Sequence, residues 1–138
     1  MTDLAEASAG GSIVMATSSD PRHPPQNIID GHENTFWLTT GLFPQEFIIA
    51  MPQTVKLSVV KTYTVNVKKL EFECCDGAQP VNFERVFEHV STSDQGGKIQ
   101  REVHKMTARQ CKFLRFTITA AFDNFAAVHM IKVEGTPA

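Results

Sequence analysis

The sequence predicts an all-β chain folded as a two-sheet jelly-roll sandwich. Apolar residues alternate with a period of two in short segments instead of recurring every 3.6 residues. Turn-forming residues interrupt the chain at Asp20-Pro21, Pro24-Pro25, Asp30-Gly31, Asp76-Gly77 and Ser93-Asp94-Gln95-Gly96-Gly97, a spacing that accommodates seven to nine strands. No stretch carries a helical stripe longer than a turn or two, and only Gln26 to Asp30 reads as one helical turn. Two packed sheets of jelly-roll type are the natural container for such a pattern.

The elements follow in order. Residues 1–10, rich in Ala, Ser and Gly, are expected to form a flexible N-terminus, leaving residues 11–137 as one domain. Ser12 to Thr17 is the first strand. Glu46 to Met51 is apolar on both parities, as a strand covered on both faces should be, and Val128 to Val133 is similar. Val55, Leu57 and Val59 share one face against Lys56 and Ser58. Alternation then runs through Tyr63, Val65 and Val67 before changing parity to Leu70, Phe72 and Cys74, which predicts a bulge or corner near Lys68-Lys69. Phe83 to Val90 and Lys98 to His104 supply further strands. Leu114, Phe116 and Ile118 fall on one face of another, opposite Arg115, Thr117 and Thr119.

With 138 residues, 42% hydrophobic and 20% charged, the chain is sized for one core and is not disordered, collagen-like or membrane-embedded. No apolar run reaches the ~18 residues of a membrane span. The start, Met1 to Glu6, has neither the basic end nor the apolar stretch of a secretory signal, so a soluble, intracellular protein is expected. Three cysteines, with Cys74 and Cys75 adjacent, imply reduced thiols instead of a disulfide framework. The net charge of −2 conceals a segregation: −5 over residues 1–54, +4 over 55–115 and −1 over 116–138. With no basic cluster longer than Lys68-Lys69, nucleic acid is excluded as a partner.

The segment from Pro21 to Gly41 carries the densest chemistry. Asn27, Asp30 and Thr35 place three side-chain oxygens within nine positions, and Gly31 permits a sharp turn. Hard cations such as calcium take six to eight oxygen ligands from such groups and from carbonyls that turn-rich loops present. Glu33 and Glu134 are possible additional donors to a structural site. The spacing is not that of an EF-hand, which needs a denser run of carboxylates and a closing Glu. The same residues equally describe a capped turn, because Asn and Asp satisfy local backbone donors on their own.

Trp37, the one tryptophan, reads as core among Phe36, Phe43 and Phe47, or as a platform for stacking a sugar. Phe122, Phe125 and Tyr63 admit the same two readings. The five histidines are scattered, the cysteines lack zinc spacing, and no Gly-rich phosphate loop is present, so no enzyme is expected. Even a His104–Cys111 pair of base and nucleophile has no warrant in the sequence. Arg101, Lys105, Arg109, Lys112 and Arg115 form either a solvated surface or a face for an acidic partner.

Asn27-Ile28-Ile29-Asp30-Gly31 followed by Thr35-Phe36-Trp37 resembles the discoidin or galactose-binding-like superfamily, whose jelly rolls often hold a structural calcium at this loop. Closer similarity comes from Ala16 to Asp20, His23-Pro24-Pro25, Thr39-Thr40-Gly41, Phe43 to Ile49, Leu114-Arg115-Phe116, Ala121-Phe122-Asp123 and Glu134-Gly135-Thr136. Together these resemble the intraflagellar transport protein twenty-five family, once classed with small heat-shock proteins. The resemblance implies a non-enzymatic subunit of intraflagellar transport complex B, working in the cilium or flagellum and the cytoplasm. It further implies a Rab-like small GTPase subunit as partner beside other complex B subunits, and a structural calcium held by Asn27, Asp30 and Thr35, with Glu134 as a further ligand. No family motif covers Lys56 to Lys105, so no partner-binding residue carries over. The alternative is a carbohydrate- or lipid-headgroup-binding module of discoidin type. Extracellular discoidin domains close their ends with a disulfide, for which this chain has no terminal cysteines.

Overall fold

The computed structural model describes residues 3–138 and holds seven strands: β1 (Ser12–Ala16), β2 (Trp37–Leu38), β3 (Gln45–Val65), β4 (Val67–Cys75), β5 (Glu84–Val90), β6 (Gln100–Ala121) and β7 (Ala127–Pro137). The described helices are three short 3-10 turns, at Ala7–Ala9, Pro25–Ile29 and Gln95–Gly97. The second of these is the helical turn expected at Gln26 to Asp30.

Two long strands build both layers. Residues 45–50 of β3 pair with β1 on one side and with residues 113–118 of β6 on the other, and β4 and β5 continue that sheet. The register slips between Ala50 and Val55. Beyond it residues 55–65 of β3 pair with residues 100–111 of β6 and with β7, and β2 completes this second sheet. A long strand that changes sheets at an irregularity is how an antiparallel sandwich turns its corner. All the pairings are antiparallel.

Between the sheets runs a file of rings. Trp37 meets Phe47 edge-on at 5.2 Å, Phe47 stacks on Phe116 at 5.2 Å, Phe116 meets Phe72 at 4.9 Å, and Phe72 stacks on Phe87 at 5.0 Å. Phe47, Phe72, Phe116 and Trp37 are all fully buried, with Ile49, Leu57, Leu114 and Ile118 packed about them. Leu114, Phe116, Ile118, Leu70, Phe72 and Cys74 thus face inward as their alternation predicted.

Two faces are corrected. Val55 and Leu57 are buried, but Val60 and not Val59 continues their face, because a register shift between Leu57 and Val59 reverses the parity. Further along, Thr62 and Thr64 point inward while Tyr63 and Val65 point outward. The buried threonines are legal in a core position because a hydroxyl is small and can find a partner; the Thr62 hydroxyl lies 3.4 Å from His104 Nε2.

The expected corner near Lys68-Lys69 lies mainly at Asn66, whose φ of 64° breaks the chain between β3 and β4, with register shifts on either side of Lys69. Gln100 braces this corner. Its side-chain amide accepts from Val67 N at 3.1 Å and donates to Val67 O at 3.0 Å, copying the pairing of a neighbouring strand.

The N-terminal segment also departs from expectation. Residues 3–6 are docked while 7–10 are exposed: Leu4 N donates to Val133 O at 2.9 Å, Asp3 Oδ1 accepts from Val133 N, and Ala5 is fully buried. The hydrogen bonds to β7 supply what the small side chains could not advertise. Residues 1 and 2 lie outside the described residues. Among the described residues no helix is long and apolar enough to cross a membrane.

Candidate functional site

The loop from the 3-10 turn to β2 is built on Ile28 and Ile29, which sink into the core and leave Asn27 and Asp30 at its rim. Asp30 organises the turn into β2. Its Oδ1 accepts from His32 N at 2.9 Å and its Oδ2 from Thr35 Oγ1 at 2.6 Å. Gly31, at φ 80°, makes the turn that lets both bonds form. Asn27 donates from Nδ2 to Phe36 O at 3.0 Å across the same loop, and its amide oxygen is chemically an acceptor.

The loop is braced from outside. His129 of β7 places Nδ1 2.7 Å from Glu33 O, and Phe36 is held between His23, stacked at 4.1 Å, and His129, tilted at 5.0 Å. Glu6 of the docked N-terminal segment lies against Gly31, close enough that a Cβ there would come within 2.6 Å of Glu6 Oε1. Nothing in the sequence pointed to Glu6, because it belongs to a segment expected to be loose and stands 25 positions from the turn.

Asp30 and Thr35 are therefore bonded to each other, Asn27 spans the same loop, and Glu134 has a partner of its own. Glu134 sits on β7, where its Oε2 meets Lys61 Nζ at 2.8 Å. That hydrogen bond draws the Glu134 carboxyl below its ordinary range and pushes the Lys61 ammonium up. Glu33, the other possible donor, forms an ion pair with Arg101. Among the described residues no three His, Cys, Asp or Glu side chains converge on a metal. A zinc-type site is thus not built here, whereas the hydroxyl, amide, carboxylate and carbonyl oxygens of the Asp30 loop are the donor chemistry of calcium.

The other candidates resolve plainly. Trp37 is fully buried and donates from Nε1 to Ser18 O at 2.9 Å, so it is core and offers no stacking face. Cys111 donates to Phe113 O, and burial pushes its thiol far up. His104 stacks on Phe87 at 4.4 Å, and burial followed by the neighbouring His89 lowers it to about 4. These two residues do not form a catalytic pair. Of the basic series, Arg115 is bidentate to Glu73 and Arg109 pairs with Glu84.

Comparison with known proteins gives the family. No family model matches the chain. Intraflagellar transport protein 25 of Chlamydomonas reinhardtii is 43% identical over 135 residues, covering 98% of this chain and 70% of that protein. The human homolog of the same protein is 42% identical, covering 97% of this chain and 92% of its own length. This chain belongs to the intraflagellar transport protein 25 family. The mouse homolog agrees, at 42% identity.

Solved structures confirm the fold of this family member. A family 32 CBM from C. perfringens NanJ, in complex with galactose, superposes with a TM-score of 0.79 at 17% identity, covering 96% of this chain and 97% of that one. The C-terminal domain of a chitobiase from Bacteroides fragilis reaches 0.82 at 18%, covering 99% of both. Such low identity establishes the galactose-binding-like jelly roll and no ligand.

Proposed function

We propose that this chain is a non-enzymatic subunit of intraflagellar transport complex B, acting in the cilium or flagellum and the cytoplasm and binding a Rab-like small GTPase subunit of the same machinery. The observation that carries the reading is the 42–43% identity to intraflagellar transport protein 25 across nearly the whole chain. A jelly roll with a ring-stacked core suits a rigid assembly subunit.

The Asp30 loop would hold a structural calcium through Asn27, Asp30 and Thr35, with backbone carbonyls completing the shell. Calcium would supply a positive centre that ties the turn to β2 and so adds to the stability of the folded chain. Glu134 is engaged by Lys61 and is not assigned to this shell.

The alternative, a carbohydrate- or lipid-headgroup-binding module, rests on fold likeness alone. Burial of Trp37 takes away its simplest stacking platform. Co-purification of the tagged chain from ciliated or flagellated cells, followed by mass spectrometry, decides between them. Recovery of a small GTPase in equal amount supports the subunit reading, and recovery of glycans alone overturns it.

A further inference from the structure

The outer faces of the two sheets are charged differently, and on the first Arg85 is paired with Glu71 and Arg115 with Glu73 within the sheet. On the outer face of the first sheet, the register aligns Glu46, Thr117, Glu71 and Glu88 across β3, β6, β4 and β5. On the outer face of the second, it sets Arg101 beside Tyr63, Val103 beside Lys61 and Lys132, and Lys105 beside Val59. Tyr63, the one tyrosine, has Arg101 6.0 Å and Lys132 5.8 Å from its ring centre. Two cations thus flank one aromatic ring, and Lys61 and Lys105 lie beside a valine, Val103, that is 57% exposed.

Among the described residues two of these cations stand in ion pairs. Lys61 pairs with Glu134 and Arg101 with Glu33, whereas Lys105 and Lys132 form no ion pair among the described residues. A flat sheet face with surplus positive charge, an aromatic centre and an exposed aliphatic side chain combines the features of a polar rim and an anchor site. Glu134 and Glu33 are fixed among the cations, and Asp3 lies near Lys132. That mixed pattern would be repelled in part by a uniformly anionic bilayer, but a protein surface can match each sign in place.

We propose that the outer face of the second sheet, centred on Tyr63, is the docking surface for an acidic face of a protein partner in the transport complex. Identifying that partner as the Rab-like small GTPase rests on the proposed function; the location of the face does not.

Two measurements separate these claims. The first compares lysine acetylation of the isolated chain with that of the transport complex purified from cilia. Lys105 and Lys132 should lose reactivity several-fold on assembly while Lys68 and Lys69 keep theirs; unchanged reactivity of Lys105 and Lys132 overturns the proposal. The second titrates the purified GTPase into the wild-type chain, the Lys105→Glu/Lys132→Glu variant and Glu88→Lys on the opposite face, each checked for folding by circular dichroism. The double variant should bind roughly tenfold more weakly, with Glu88→Lys unchanged and the wild-type affinity falling with salt. Equal affinity of the double variant and the wild type overturns the face and leaves the partner standing. No binding of the GTPase to the wild type, with both lysines protected in the complex, keeps the face and discards the GTPase. Sedimentation with phosphatidylserine vesicles that the double variant abolishes, with no protection in the complex, would replace the protein partner with a membrane.

Discussion

Thr35 Oγ1 donates a 2.6 Å hydrogen bond to Asp30 Oδ2, closing the loop that Asn27 spans through its bond to Phe36 O. This bond draws the two oxygens together. A bound calcium would take lone pairs from both and leave the hydroxyl proton pointing away.

Chelation is therefore expected to destabilise the chain. At calcium well above its dissociation constant, EGTA should lower the melting temperature by about 5–10 °C, given ~2–3 kcal/mol of linkage at a hundredfold excess. Asp30→Ala should melt low and ignore the chelator. Glu134→Gln should respond to EGTA like the wild type, since its partner is Lys61. Superimposable melts of the wild type with and without EGTA would remove the metal from this loop.

Gln100 is a stability residue that no motif marks. Replacing it by Ala strands the buried N–H and C=O of Val67, at roughly 1–3 kcal/mol for each unsatisfied group. Urea unfolding of Gln100→Ala should show a loss of about 2–6 kcal/mol on that basis. A change below ~0.5 kcal/mol would mean that water replaces the side chain at the corner.

Trp37 gives a spectroscopic test of the sugar reading. Its emission should be blue-shifted in the folded chain, and galactose should leave it unquenched, because the ring is enclosed by Phe47 and its N–H is spent on Ser18 O. Trp37→Ala should cost about 3–5 kcal/mol, the usual effect of emptying a large core site.

His104 predicts an acid slope. Packed against Phe87, beside His89 and Thr62, with Glu102 within 3.6 Å of His89, it resists protonation until about pH 4. The unfolded chain takes up that proton near 6.5, so between about 6.5 and about 4 the unfolded state binds more protons and stability falls as pH is lowered. Above that window His104 contributes no slope. Melts of His104→Phe across the same range should decline less steeply than those of the wild type, with the His89–Glu102 pair common to both; parallel curves would absolve His104.

Period-two alternation located most of the strands because one inward face is all that a strand needs to show. Leu114, Phe116 and Ile118 illustrate it. The misread face around Tyr63 has a physical cause: one slipped residue at Leu57/Val59 reverses every side chain beyond it, and a local pattern carries no mark of where the slip falls. Asn27, Asp30 and Thr35 were legible as a group because nine positions span a single loop. Glu6 and the bracing His129 were not, since their approach depends on how distant segments dock.

The amino-acid sequence by itself determined the all-β class, the family and the Asp30 loop, all of which are local or cumulative along the chain. Only the tertiary structure decided that Glu134 belongs to Lys61, that Trp37 is enclosed, and that the positive charge gathers around Tyr63. Those outcomes depend on register between strands dozens of residues apart, where a shift of one position exchanges the inside of a sheet for its outside.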